Sequence, residues 1–307
     1  MFKLSELIEF LKEKQLLIGE VKTDGDKEIK RFASLLHPSA DALCWSQKTL
    51  SPDTIPNAAV LLCQPEQEHD PNLDTVMIHV QDPRRVFGTV AYHFNRRIRK
   101  TGIYDKAVIS PTAVIGENVY IGPYTVIEDG CRIGDGTIID ANVTIYHDVT
   151  IGKNCHIWAG AVIGADGHGY FLDDGNLWQH VVHMGNVVIG DNVEIKANSC
   201  VDRGVLDDTT IGDNTKIDNL VQVAHNVVIG KNTFIAGGTQ IGGSCVVGDN
   251  CWLGSSCVIK NGAKVADEVR VCINSVVVRD IKRTNATVYG DPARYIFPYY
   301  MGKESKL

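Results

Sequence analysis

Ten histidines are spread along the chain, and an imidazole is the side chain most often used as a general base near neutral pH. His225 has the surroundings that suit such work. It lies in Asp218-Asn219-Leu220-Val221-Gln222-Val223-Ala224-His225-Asn226-Val227-Val228, among amides and a carboxylate that can hydrogen-bond an imidazole. His147, in Ile145-Tyr146-His147-Asp148, also follows an aliphatic residue by two positions. His168 sits in a stretch rich in glycine and aspartate, where it reads equally as a group closing over a ligand and as a side chain facing water. Cys245, Cys251 and Cys257 share a six-residue spacing that suggests a metal ladder, until the element that carries them is identified.

That element is a six-residue repeat. From Ile103 an isoleucine recurs at every sixth position through Ile163; the pattern returns at Ile189, Ile195 and Val201. After a change of phase it runs from Val205 through Ile211, Ile217, Val223 and onward to Val277. Two residues before the large aliphatic stands a small or β-branched one, as at Ala113, Thr125, Cys131, Val143, Thr215 and Thr239. One residue after it glycine is common, as at Gly116, Gly134, Gly212 and Gly248. Residues two apart in an extended segment face the same side, so each hexad turns one small and one large group inward and then rounds a corner where glycine relieves crowding. Three such faces close an 18-residue triangular coil, and stacked coils form a parallel β-helix. The three cysteines occupy the small inward slot and read as core filler, because a free cysteine packs as a small hydrophobe. Asn198 and Gln222 read as supports of coil corners.

Residues 1–100 lack the repeat. Leu4, Leu7, Ile8 and Leu11 recur at helical spacing; Ala59-Val60-Leu61-Leu62 and Val76-Met77-Ile78 read as strands; a helix is expected from Arg85 to Arg97. The chain is therefore expected to be mainly β: a small α/β domain over 1–100, the β-helix over 101–280 with a loop ejected at 164–184, and a C-terminal tail over 281–307. Long loops on a rigid scaffold commonly carry function. The formal charge of −7 in 307 residues argues against nucleic acid as the main partner. No apolar run is long enough to span a membrane. Nine cysteines without a C-x-x-C pair fit reduced thiols and a cytoplasmic location.

Several ordered stretches resemble the UDP-3-O-acylglucosamine N-acyltransferases of lipid A synthesis. These are Ile145-Tyr146-His147-Asp148-Val149, Ile163-Gly164-Ala165-Asp166-Gly167, Asp202-Arg203-Gly204-Val205-Leu206-Asp207-Asp208 and Ile217-Asp218-Asn219 through Gly230, together within roughly residues 110–250. The resemblance implies a left-handed β-helix, a homotrimer with active sites in clefts between subunits, and His225 as general base. It implies that Asp218 polarises the site or helps to bind substrate, and that the backbone N–H of Gly243 is the oxyanion donor. Asn219 and Asn226 flank the base and are expected to contact substrate or support it. Trp45, in Leu43-Cys44-Trp45-Ser46-Gln47-Lys48, stands where the family stacks a uracil, and stacking or simple packing both fit it. Trp158 and Trp252 are expected at the trimer seam.

The implied reaction is direct acyl transfer from a phosphopantetheine thioester to a sugar amine, with no metal, permanent cofactor or covalent enzyme intermediate required. Two departures bear on the substrates. Asn261-Gly262-Ala263 lacks the second histidine the family carries there, and Val288-Tyr289-Gly290-Asp291-Pro292-Ala293-Arg294 resembles the end of small hexapeptide acetyltransferases. The leading expectation is therefore transfer from acetyl-CoA or another short acyl-CoA to an amino sugar on UDP or dTDP. The alternative is the lipid A enzyme itself, using 3-hydroxyacyl carrier protein. Two other classes are a non-catalytic β-solenoid binding module and a β-helical carbonic anhydrase, which would draft His147, His156 and His225 as zinc ligands.

Overall fold

The computed structural model describes residues 1–68, 73–94 and 101–295. His69, residues 95–97 of the expected second helix and the end of the expected tail lie outside the described residues. The chain divides into two compact units, Met1–Arg99 and Lys100–Leu307.

In the first unit a parallel sheet runs in the order Arg31–Phe32, Ala42–Trp45, Val60–Cys63, Val76–His79. The helix Leu4–Glu13 buries Leu4, Leu7, Phe10 and Leu11, and the helix Pro83–Phe94 lies against the two central strands. Val60–Cys63 is buried at every position, as a strand covered on both faces must be. None of the described helices is long and apolar enough to cross a membrane.

The second unit is a parallel β-solenoid. Its strands, most of them two residues long, stack into three sheets of 11, 9 and 8 strands among the described residues, with register partners such as Val126↔Thr144 and Arg132↔Thr150 one coil apart. The large aliphatics form one column, in which Ile139, Ile145, Ile157, Ile163, Ile195 and Ile235 are fully buried. The small inward residues carry a second duty. Thr233 Oγ1 donates to the Gly248 carbonyl at 2.9 Å and Thr215 Oγ1 to that of Gly230 at 2.9 Å. Cys245 and Cys251 do the same through sulfur, at 3.1 and 3.2 Å. Burial pushes the thiols of Cys155 and Cys257 up to about 11 and that of Cys63 to about 12. All three are protonated packing groups, as register implies for Cys155 and Cys257; Cys63 lies in the first unit.

The corners divide their needs between two positions. Apart from Gly164, where the ejected loop leaves the stack at φ 88°, the glycine that follows an aliphatic has no positive φ; it is needed because the coils approach closely, and a Cβ on Gly134 would lie 2.5 Å from the Gly152 carbonyl carbon. Left-handed backbone falls two residues later and is borne mostly by asparagine, including Asn214, Asn232 and Asn250 at φ 58°, 54° and 56°. Asparagine tolerates this region better than other side-chain-bearing residues. These three also form a ladder, Asn214 Nδ2 donating to Asn232 Oδ1 at 2.8 Å and Asn232 Nδ2 to Asn250 Oδ1 at 2.7 Å.

Two departures from the expected pattern are informative. Ile103 is 54% exposed and Ile115 only partly buried, so the column is fully dry only from about Ile121. Val205 does not belong to it: the next strand of its sheet is Thr209–Ile211, and Val205 lies in an irregular turn. The change of phase is an insertion. Coils are normally 18 residues apart, but equivalent corners are 22 apart across residues 203–208 and 38 apart across the ejected loop. At the far end Thr287–Tyr289 continues the stack beside Arg270–Val271, and Arg294–Tyr295 folds back antiparallel on it.

Replacing Asn232 by alanine should cost about 1–2 kcal/mol, because the left-handed corner and the amide ladder are both lost. Asn232→Gly should cost less, although glycine ordinarily loses more chain entropy. Urea unfolding midpoints of the two proteins check this order.

Candidate functional site

Six successive strands of the nine-stranded sheet end at one edge of the prism: Thr144–Ile145, Val162–Ala165, Cys200–Asp202, Gln222–Val223, Gln240–Ile241 and Val258–Ile259. The residues just beyond the strand ends stack along that edge. In order these are His147, the ejected loop, Arg203, His225, Gly243 and Asn261. Both irregularities of the repeat therefore emerge at the corner that carries His225.

The tautomer of His225 is set by Asn226. The Asn226 amide is fixed at both ends: Nδ2 donates to the Asp207 carbonyl at 2.8 Å, and Oδ1 accepts from the Val205 N–H at 3.0 Å. His225 Nδ1 lies 3.1 Å from that same Oδ1 and must donate to it. The lone pair is left on Nε2. That nitrogen borders Gly243, where an added Cβ would lie 2.5 Å away. Gly243 has an ordinary φ, so glycine is needed there for space next to the ring. Among the described residues nothing accepts from the Gly243 N–H. An unprotonated ring nitrogen and an unpaired amide N–H thus lie side by side, the pairing that acyl transfer requires of a base and an oxyanion donor.

The insertion 203–208 holds this arrangement. Gly204 permits its tight turn, since a Cβ there would collide with the Asp207 carbonyl. Arg203, 1% exposed, donates to the carbonyls of Gly164 and His147 at 2.8 and 2.6 Å, and its Nε lies 4.0 Å from Asp166. A buried guanidinium is tolerable only when so satisfied. It also donates to His147 Nε2 at 2.8 Å, while His147 Nδ1 faces Asp148 at 3.0 Å. His147 shares the register of His225 but has no nitrogen free to act as a base.

The ejected loop returns to the same place. Its hairpin, Tyr170–Leu172 paired with Trp178–His180, delivers His183, whose ring packs edge-on to His225 with centroids 5.5 Å apart. Gly167 makes room for both rings. His168 does not join them; it is exposed and lies against Tyr170. Asp202 takes a 2.8 Å hydrogen bond from Gln222. Burial raises its carboxyl above the usual range, against the pull of Gln222, His225 and His183.

The remaining expected residues lie elsewhere. Asp218 and Asn219 occupy the preceding corner of the coil, one flat face away from His225, and no contact joins Asp218 to His225 among the described residues. There Asp218 accepts from the Gly237 N–H at 3.2 Å, and Asn219 bridges Ala197 and Asp218. Trp45 belongs to the first unit and packs against Phe87. Trp158 and Trp252 stand on the 11-stranded sheet against His156 and Phe234. His156 bonds Asp140 on that sheet, so His147, His156 and His225 do not converge within the chain. His180, His183, Asp166, Asp202 and Arg203 were not singled out as site residues by sequence reasoning. Counting back from His225 by the coil length plus the four inserted residues would have found Arg203.

Asp202 yields a pH test. A carboxyl whose folded titration is raised stabilises the fold while neutral, and that contribution is lost as pH rises through the folded value. Asp202→Asn cannot ionise, so it should gain stability relative to the native chain from about pH 4 upward. Urea unfolding of both proteins across pH 4–8 measures the difference, and a constant difference would contradict it.

Comparison with known proteins agrees with this architecture. The bacterial transferase hexapeptide repeat matches residues 112–145, 130–165 and 208–243, and the hexapeptide repeat of succinyl-transferase matches 246–279. UDP-3-O-acylglucosamine N-acyltransferase from Francisella tularensis subsp. holarctica is 41% identical, over 66% of each chain. That from Delftia acidovorans is 41% identical over 63% of this chain and 60% of its own. The match thus spans slightly under two thirds of these relatives. UDP-N-acetylglucosamine acyltransferase from Campylobacter jejuni superposes with a TM-score of 0.58 at 25% identity, covering 64% of this chain and 74% of its own. The Francisella novicida enzyme of that name gives 0.58 at 26%, covering 64% and 70%. The chain thus carries the hexapeptide repeats of bacterial transferases on a left-handed β-helix of the acyltransferase type, and over about two thirds of its length it is similar to the UDP-3-O-acylglucosamine N-acyltransferases.

Proposed function

We propose that this protein is an N-acyltransferase that moves an acyl group from a phosphopantetheine thioester to the amine of a UDP-linked glucosamine derivative. The observation that carries the reading is the free Nε2 of His225 beside the unpaired N–H of Gly243. The relatives named for UDP-3-O-acylglucosamine favour that acceptor, and with it 3-hydroxyacyl carrier protein as donor, over a short acyl-CoA with a UDP- or dTDP-linked amino sugar.

In the proposed reaction the sugar amine attacks the thioester carbonyl while His225 Nε2 takes its proton. The oxyanion of the tetrahedral intermediate accepts from the Gly243 N–H, an interaction typically worth about 3 kcal/mol. Collapse breaks the carbon–sulfur bond, and the imidazolium returns the proton to the departing thiolate. Asn226 keeps the ring in the tautomer this requires. Asp218, Asn219 and His168 do not meet His225 in one chain. In a homotrimer, expected from the resemblance, Asp218 and Asn219 of a neighbouring subunit would complete the cleft. Trp45 remains a candidate for stacking the nucleotide base and His168 for contacting substrate above the loop.

Thiol release by the purified protein tests the reading. UDP-3-O-acylglucosamine and UDP- and dTDP-linked 3- and 4-amino sugars are each offered with 3-hydroxyacyl carrier protein and with acetyl-CoA. Turnover is expected with the carrier protein and UDP-3-O-acylglucosamine, and His225→Ala should lower it about 10²–10⁴-fold. Gly243→Ala should lower kcat by about 10²-fold with an unchanged circular dichroism spectrum. Turnover only with acetyl-CoA would restore the short-chain reading. Release unaffected by His225→Ala would refute the mechanism.

A further inference from the structure

We propose that Asp166, His180 and His183 form a binding site for one divalent ion of the zinc class, placed where the ejected hairpin rejoins the edge carrying His225. The ligand atoms of the three side chains all lie within 4.8 Å of one another, with His180 Nε2 and Asp166 Oδ2 3.6 Å apart. The His180 and His183 rings are nearly parallel, 11° apart in plane. Two imidazoles and a carboxylate are the donor set of open zinc sites, and the imidazoles disfavour magnesium and calcium.

The second, independent observation is His183 itself. Its ring is 3% exposed, and its Nδ1 lies 2.7 Å from the Val181 carbonyl, which can only accept. The proton is therefore on Nδ1, and Nε2 carries a lone pair. That Nε2 is buried without a hydrogen-bond partner. An orphaned buried nitrogen is costly, and a backbone carbonyl holding the opposite ring nitrogen is the arrangement that orients metal-bound histidines. Asp166, at the start of the ejected loop, and His180, at the end of its hairpin, are both partly exposed. An inward shift of roughly an ångström would bring all three donors to the 2.0–2.2 Å bonds of zinc.

This site is distinct from the acyl-transfer groups, and its role is positional. A bound ion ties Asp166, at the start of the loop, to His180 and His183 at its end. It thereby fixes the His183 ring that packs on His225.

The test uses tag-free, chelator-treated full-length protein titrated with zinc by calorimetry, and with cobalt by visible absorption. One ion per chain is expected, with the spectrum of imidazole-bound cobalt and a rise in Tm on zinc addition. His183→Ala and the partly exposed Asp166→Ala should each weaken binding at least about tenfold, whereas His168→Ala, on the same loop, should not. Asp166→Ala guards against misfolding of the His183 variant. Substoichiometric binding, or equal affinity in native and Asp166→Ala proteins, would overturn the proposal. These readouts do not involve turnover, so the acyl-transfer reading stands or falls separately.

Discussion

The ladder of hydrogen bonds between coils is the constraint on which everything else rests. Each strand N–H must meet a carbonyl of the next coil, as Val126 meets Val143 and Gly134 meets Ile151 at 2.9 and 2.8 Å. A buried backbone group without such a partner is costly, so every coil has to return to the same azimuth in the same number of residues. That requirement fills the inward slots with one large and one small side chain, places glycine where coils nearly touch, and puts asparagine at the left-handed corner. Extra residues can leave the stack only at a corner, and they must come back to it.

The site grows out of that exception. Two excursions leave from one edge, and each has to satisfy its own backbone. The insertion 203–208 does so by accepting the Asn226 amide and by sending Arg203 inward to the carbonyls of the two preceding corners. The return of the long loop pairs with the insertion, Met184 N–H to the Val205 carbonyl and Gly185 N–H to that of Gly204. Contacts that close the scaffold thus also orient the imidazole of His225.

The solenoid was legible because a period of six with a single large aliphatic admits few other folds. Polar neighbours and register made His225 a candidate and the resemblance supplied its expected role, whereas Cys245, Cys251 and Cys257 read as filler from register alone and are buried. Periodicity could not reveal where the chain goes when it breaks step. Val205 continued the aliphatic pattern in sequence yet lies in an irregular turn, because Gly204 lets the backbone fold too tightly for a strand. His183 was one histidine among ten until the hairpin carried it back to His225. Asp218 is seven residues from His225 in sequence, but seven residues is one face plus a corner, and the two side chains leave different edges.

His225 and Gly243 occupy equivalent places in adjoining coils, so their separation is the interstrand spacing of a β-sheet, roughly 4.8 Å. It behaves as a lattice constant. No loop sets it, and no side-chain substitution stretches it without breaking a ladder that runs through the whole prism. Divergence of such a protein is thereby channelled: what reaches this edge can be redrawn through the two excursions, whereas the gauge between the two groups is inherited unchanged.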